Sequence, residues 1–143
     1  MAGCKAAANL FRLEIEENQM QNYLLVFAGG GLGAVARYWL SGLVYARFGN
    51  AFPYGTLAVN IVGCFLIGLL MSLLEDRFLV YPSIRIFLTI GILGGFTTFS
   101  SFSYETISLL QDGQFLYGTA NILISIITCV GGCWIGFSVG RLF

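Results

Sequence analysis

The stretch GGFTTFSSFSYE, Gly94 to Glu105, decides how this chain is read. It holds two adjacent glycines, three phenylalanines, six hydroxyl side chains and one carboxylate. The sequence around it, from Ile84 to Leu110, is otherwise largely apolar. A polar insert in such a run is either the end of a membrane span or a costly feature inside one.

Composition places it inside a span. Of 143 residues, 57% are hydrophobic types and 10% are charged, against roughly 25% charge in soluble domains. A hydrocarbon core of about 30 Å takes roughly 20 helical residues to cross. Four runs are long enough: about 23–45, 54–74, 84–110 and 115–142. Turn-forming or polar links separate them: RFGNAFP at 47–53, EDR at 75–77 with YPS at 81–83, and QDGQ at 111–114. Backbone groups in lipid need partners within the protein, so spans are helices or closed barrels. Unbroken apolar runs without period-two alternation indicate helices. The expected fold is an all-α integral membrane protein, with one four-helix domain over 21–143.

Residues 1–20 read differently. They are polar, include Lys5, Arg12, Glu14, Glu16 and Glu17, and lack the continuous apolar core of a signal peptide. They are expected to be an N-terminal tail or extension, with Met20 a candidate natural start. Four spans put both ends of the domain on one side, side A. Arg77, Arg85 and Arg141 fall there, and Arg47 falls on side B. That positive-inside bias is small. A chain that inserts both ways can form an antiparallel pair.

Net charge is zero, which suggests no nucleic-acid partner. There is no histidine, and so neither the commonest general base nor the commonest metal ligand. No acid pair suggests a catalytic cleft, so the chain is not expected to be an enzyme. Of the cysteines Cys4, Cys64, Cys129 and Cys133, only the last two are near each other in sequence, four apart. That spacing reads as small residues for helix packing, like Gly63, Gly68, Gly132 and Gly136, rather than as a metal site.

Polar groups deep in a span are functional candidates. At about 1.5 Å per residue, Arg37, Asn60, Phe99, Phe102, Glu105 and Ser125 all fall between mid-membrane and side B. Gly29, Gly33 and Arg37 share a helix face, which turns Arg37 toward protein or a water-filled vestibule. Gly94-Gly95 costs roughly 1 kcal/mol per glycine relative to alanine in a helix. The hydroxyls of Thr97, Thr98, Ser100 and Ser101 compete for backbone groups. Together they predict a break just before Phe99, so the third helix is expected to be broken near its middle. Irregular backbone at that depth is tolerated where it is buried in protein or lines a cavity, and its carbonyls suit a small cation.

The remaining inventory favours an anion. Glu105 is the one plausible buried carboxylate, and an exchanger of cationic substrates needs a central one. Asparagine, arginine, hydroxyls and ring edges are donors or positive poles. Bulky phenylalanines leave a narrow path, so the anion is small.

The residues resemble the Fluc (CrcB) fluoride channel family. The run at 94–105 looks like its signature. GTLAVNIVGCFLIG at 55–68 is similar to its second span, and GGGLGAVARY at 29–38 to its first. The resemblance implies an antiparallel, dual-topology homodimer in the bacterial inner membrane, with two fluoride pores and no energy source but the membrane potential. One charge gains about 2.3 kcal/mol per 100 mV. It further implies that Asn60, Phe99, Phe102 and Ser125 line the fluoride pore. Arg37, Thr98, Ser101 and Glu105 belong to a polar track or vestibule. The carbonyls of Gly94 and Thr97 hold a structural sodium ion at the dimer axis. Two positions depart from the family pattern: Cys129 stands where a second track hydroxyl is common, and Ser101 where threonine is commoner. A small four-helix exporter of organic cations and a non-transporting membrane assembly protein are the alternative readings.

Overall fold

The computed structural model describes the backbone of residues 2–76 and 82–142, with side chains described for 19–74 and 82–142. Arg77 and part of the link around it lie outside the described residues, as do the side chains of Cys4, Lys5 and Arg12. Helix α1 runs Ala2–Phe48 and α2 runs Tyr54–Asp76. The third span begins with α3, Pro82–Arg85, continues as a π-helical turn over Ile86–Leu93, and passes into α4, Gly94–Phe96. Helix α5 covers Phe99–Gln111 and α6 covers Phe115–Gly140. Among the described residues, four segments are long and apolar enough to cross a membrane: Gln19–Phe48, Tyr54–Leu74, Pro82–Gln111 and Phe115–Gly140.

Glycine sets two of the turns. Gly49 adopts φ 75° after α1, and its N–H donates to the Tyr45 carbonyl at 2.9 Å. Gly113 adopts φ 73° after α5, and the next N–H, from Gln114, donates to Leu109 at 2.9 Å. A left-handed residue just past a helix end is what glycine permits at least cost.

The spans pack in parallel pairs, first with third and second with fourth. A Cβ on Gly33 would overlap the Ile92 carbonyl, and one on Gly136 would overlap the Phe65 carbonyl. These backbones touch because a hydrogen atom stands where a methyl group would, the usual basis of helix association in lipid. The burial pattern runs opposite to that of a water-soluble domain. Thr56, Ser72, Thr98, Thr106, Asn121 and Ser125 are buried, while Phe27, Tyr38 and Leu116 are more than four-fifths exposed at 82%, 83% and 81%. Water would not tolerate that outer surface; lipid or a second subunit does.

Candidate functional site

The third span stops being helical at two residues. Thr97 has ψ 157°, and Thr98 has φ −150° and ψ 113°, both extended. The glycine pair itself stays helical. Gly95 instead lets the Gly30 carbonyl of α1 approach where a Cβ would sit.

Asn60 of α2 holds the interruption. Its Nδ2 donates to the Thr98 carbonyl at 3.0 Å, and its Oδ1 accepts from the Thr98 N–H at 2.8 Å. The side-chain amide thus supplies the partners that the extended backbone has lost, as a buried peptide group requires. Thr98 caps the helix that follows: its Oγ1 accepts from the Ser101 N–H at 3.2 Å. The same hydroxyl donates to Ser101 Oγ at 3.0 Å and lies 3.2 Å from Ser100 Oγ. Two diversions follow. The Thr98 N–H, which a continuous helix would send to Gly94, goes to Asn60. The Ser101 N–H, which it would send to Thr97, goes to Thr98 Oγ1. The Gly94 and Thr97 carbonyls therefore lack their helical donors. Arg37 Nη1 donates to the Thr97 carbonyl at 3.3 Å, so the face carrying Gly29, Gly33 and Arg37 packs on the third span.

Two cavities meet at this interruption. The first, of about 460 Å³, is lined by Asn60, Gly94, Thr97, Thr98, Phe99, Phe102 and Ser125, among others. The Phe99 and Phe102 rings lie 5.3 Å apart between centroids and are tilted by 44°. Among the described residues, no carboxylate lines this space. Phe99 is 78% exposed, so the cavity is open on its side. The second cavity, of about 390 Å³, is lined by Arg37, Tyr45, Thr56, Thr98, Ser101 and Glu105, among others. Thr98 faces both. The residues singled out from sequence thus gather in two adjoining chambers, with Thr98 between them.

Three site residues were not singled out by sequence reading. Tyr45 and Thr56 both donate to Glu105 Oε1, at 3.1 and 2.7 Å. Glu105 Oε2 is buried without a partner. Thr56 lies four residues before Asn60 and so on the same face of α2, a signal available in the sequence. Asn121 is 1% exposed. Its Nδ2 donates to Thr106 Oγ1 at 2.8 Å, and its Oδ1 accepts from Ser125 Oγ at 3.4 Å. An amide four residues before Ser125 in an apolar span was the signal for it.

Among known proteins, a family model described as "CrcB-like protein, Camphor Resistance (CrcB)" matches residues 24–137. A protein of Geotalea uraniireducens named "Fluoride-specific ion channel FluC" is 54% identical over 122 residues, 85% of this chain and 98% of the relative. Proteins of the same name from Geobacter sulfurreducens and Geotalea daltonii are each 51% identical over the same shares of both chains. With the family model spanning all four membrane helices and relatives matched almost end to end, this multi-pass bacterial membrane protein belongs to the CrcB family.

Proposed function

We propose that the chain is a fluoride-selective passive channel that exports fluoride and lowers its concentration in the cytoplasm. One observation carries the reading: a single cavity wall brings together the Asn60 amide, the Phe99 and Phe102 rings and the Ser125 hydroxyl without a carboxylate. The names of the relatives support it. The clamp on Thr98 uses one hydrogen of the Asn60 amide, and the second remains for a ligand. Ring edges are positive poles and replace part of the hydration shell of a small anion in a path too narrow for its water. Fluoride leaves the cell down the membrane potential, so no reaction is catalysed.

The channel works as an antiparallel homodimer with dual topology in the bacterial inner membrane. The exposure of Phe99 supports this, because a second copy would close the open side of the cavity. A structural sodium ion at the dimer axis fits the donor set. Gly94 and Thr97 offer neutral carbonyl oxygens freed from helical donors, the ligand type hard cations take. When bound, the ion supplies positive charge that offsets the cost of holding an anion nearby. Arg37, Thr98, Ser101 and Glu105 form the aqueous approach. The exporter reading loses ground to the position of Glu105, which is tied to Tyr45 and Thr56 outside the first cavity.

The test uses purified protein in potassium-loaded liposomes, with valinomycin to balance charge. Fluoride release without chloride release is expected. Release of both anions overturns the narrow-path argument, and release of neither, from folded protein, overturns the channel.

A further inference from the structure

Sequence spacing singles out Cys129 and Cys133, but the fold brings a different pair together. Cys64 of α2 and Cys129 of α6 both line the first cavity. Each lies one helical turn beyond a residue singled out for the pore, Cys64 after Asn60 and Cys129 after Ser125, and so continues the same two walls. The two helices touch one turn further on, where Gly68 abuts the Cys133 carbonyl. Cys64 and Cys129 hold the corresponding positions one turn earlier. Both cysteines are free and only partly buried.

The ligand number narrows the chemistry. Among the described residues, no three His, Cys, Asp or Glu side chains come together as a metal site. The described residues thus offer no four-ligand set of the kind a structural zinc takes. Two sulfurs from neighbouring helices in one cavity wall suit a soft ion content with two thiolates in line, such as Hg(II), Ag(I) or Cu(I). We propose that Cys64 and Cys129 form a two-coordinate soft-metal site in the cavity wall, and that its occupation closes the fluoride path. With Hg(II), two S–H bonds break, two Hg–S bonds form and two protons leave to water. No electron is transferred. The neutral product is bulky and replaces two small side chains beside the Phe99 and Phe102 rings. The blocking half of this inference rests on the fluoride-channel reading; the metal-binding half does not.

The test uses the full chain in liposomes with Cys4→Ser and Cys133→Ser, which leaves Cys64 and Cys129 as its thiols. Mercuric nitrate is added in chloride-free buffer and the excess is removed with a weak chelator. Bound mercury, remaining free thiol, the thiolate-to-mercury ultraviolet band and fluoride efflux are then read. The expected result is one retained mercury per chain, loss of both free thiols, and efflux reduced to that of protein-free liposomes. Excess dithiol should restore efflux. Adding Cys64→Ser or Cys129→Ser should let the chelator strip the metal. Two mercury ions per chain, or ready stripping from the two-thiol protein, overturns the site. Full efflux with one mercury retained overturns the block. Absence of efflux before any mercury is added would instead count against the channel, while the stoichiometry still reads the site.

Discussion

Asn60 and Thr98 are joined by a reciprocal pair of hydrogen bonds, 3.0 Å from amide to carbonyl and 2.8 Å from N–H to amide oxygen. One side chain on α2 thereby replaces a turn of helix in the third span. Asn60→Asp removes the donor to the Thr98 carbonyl and sets an anionic group in the wall of the proposed anion path. Leaving a buried carbonyl unpaired costs about 1–3 kcal/mol. The expected outcome is lower fluoride efflux together with a lower unfolding temperature in detergent. Unchanged efflux would remove Asn60 from the pore.

Phe99→Ile and Phe102→Ile keep apolar bulk and remove the ring edge. The two rings are neighbours, yet neither forms the contact between α2 and α6. Each substitution is expected to cut the fluoride rate about tenfold or more, equivalent to roughly 1.4 kcal/mol or more on the barrier. The elution volume of the protein on size exclusion should not change. Normal rates in both variants would end the ring-edge assignment.

The spans were legible in the sequence because unbroken apolar runs need only length to be recognised. The second is the same, Tyr54–Leu74, in sequence and structure. Ends were less legible where a cap decides them. The first span continues past Tyr45 to Phe48 because Gly49 turns the chain there. The interruption is subtler. The glycines and hydroxyls together point to a break just before Phe99; the extended pair is Thr97 and Thr98, while Gly94 and Gly95 stay helical against α1. Propensity describes an isolated helix, whereas the partner that holds the extended residues is Asn60, distant in sequence. The same limit hid the Tyr45–Glu105 bond and the shared cavity of Cys64 and Cys129, which exist only once the spans are packed.

Glu105 Oε1 takes its two hydrogen bonds from Tyr45 and Thr56. Thr56→Val keeps the shape and deletes the shorter bond. A lost hydrogen bond to a partly buried carboxylate is expected to lower stability by about 1–3 kcal/mol. Adding Glu105→Gln should make the effect of Thr56→Val smaller, because an amide oxygen is less costly to leave unpaired than a carboxylate. Thermal unfolding of the two single variants and the double variant measures that coupling; strict additivity would mean the carboxylate's charge adds nothing to the bond.

Gly33 faces the Ile92 carbonyl with no room for a Cβ. Gly33→Val therefore pushes α1 off the third span and takes Arg37 away from the Thr97 carbonyl. Overpacking of this kind costs about 1–3 kcal/mol, occasionally more. Loss of folded protein on extraction is expected, whereas Gly31→Ala, whose position meets nothing within 4 Å, should be tolerated. Comparable yields from the two variants would contradict the close approach.

Asn121 and Ser125 share one turn of α6, and the asparagine decides where the serine hydroxyl points. Ser125 Oγ donates to Asn121 Oδ1 at 3.4 Å, a long and weak bond, while Asn121 Nδ2 is held by Thr106 at 2.8 Å. A hydroxyl has one proton. Ser125 gives it to Asn121 in the structure and must swing it into the cavity to meet fluoride. Asn121→Leu removes the competing acceptor and leaves Thr106 Oγ1 its bond to the Phe102 carbonyl. If the serine proton serves the anion, Asn121→Leu should alter efflux while Ser125 is present and add nothing once Ser125→Ala has removed the hydroxyl. The double variant is therefore expected to match Ser125→Ala alone. Efflux measured across this cycle separates positioning from simple loss of fold, because a folding defect would lower efflux in both backgrounds by the same factor.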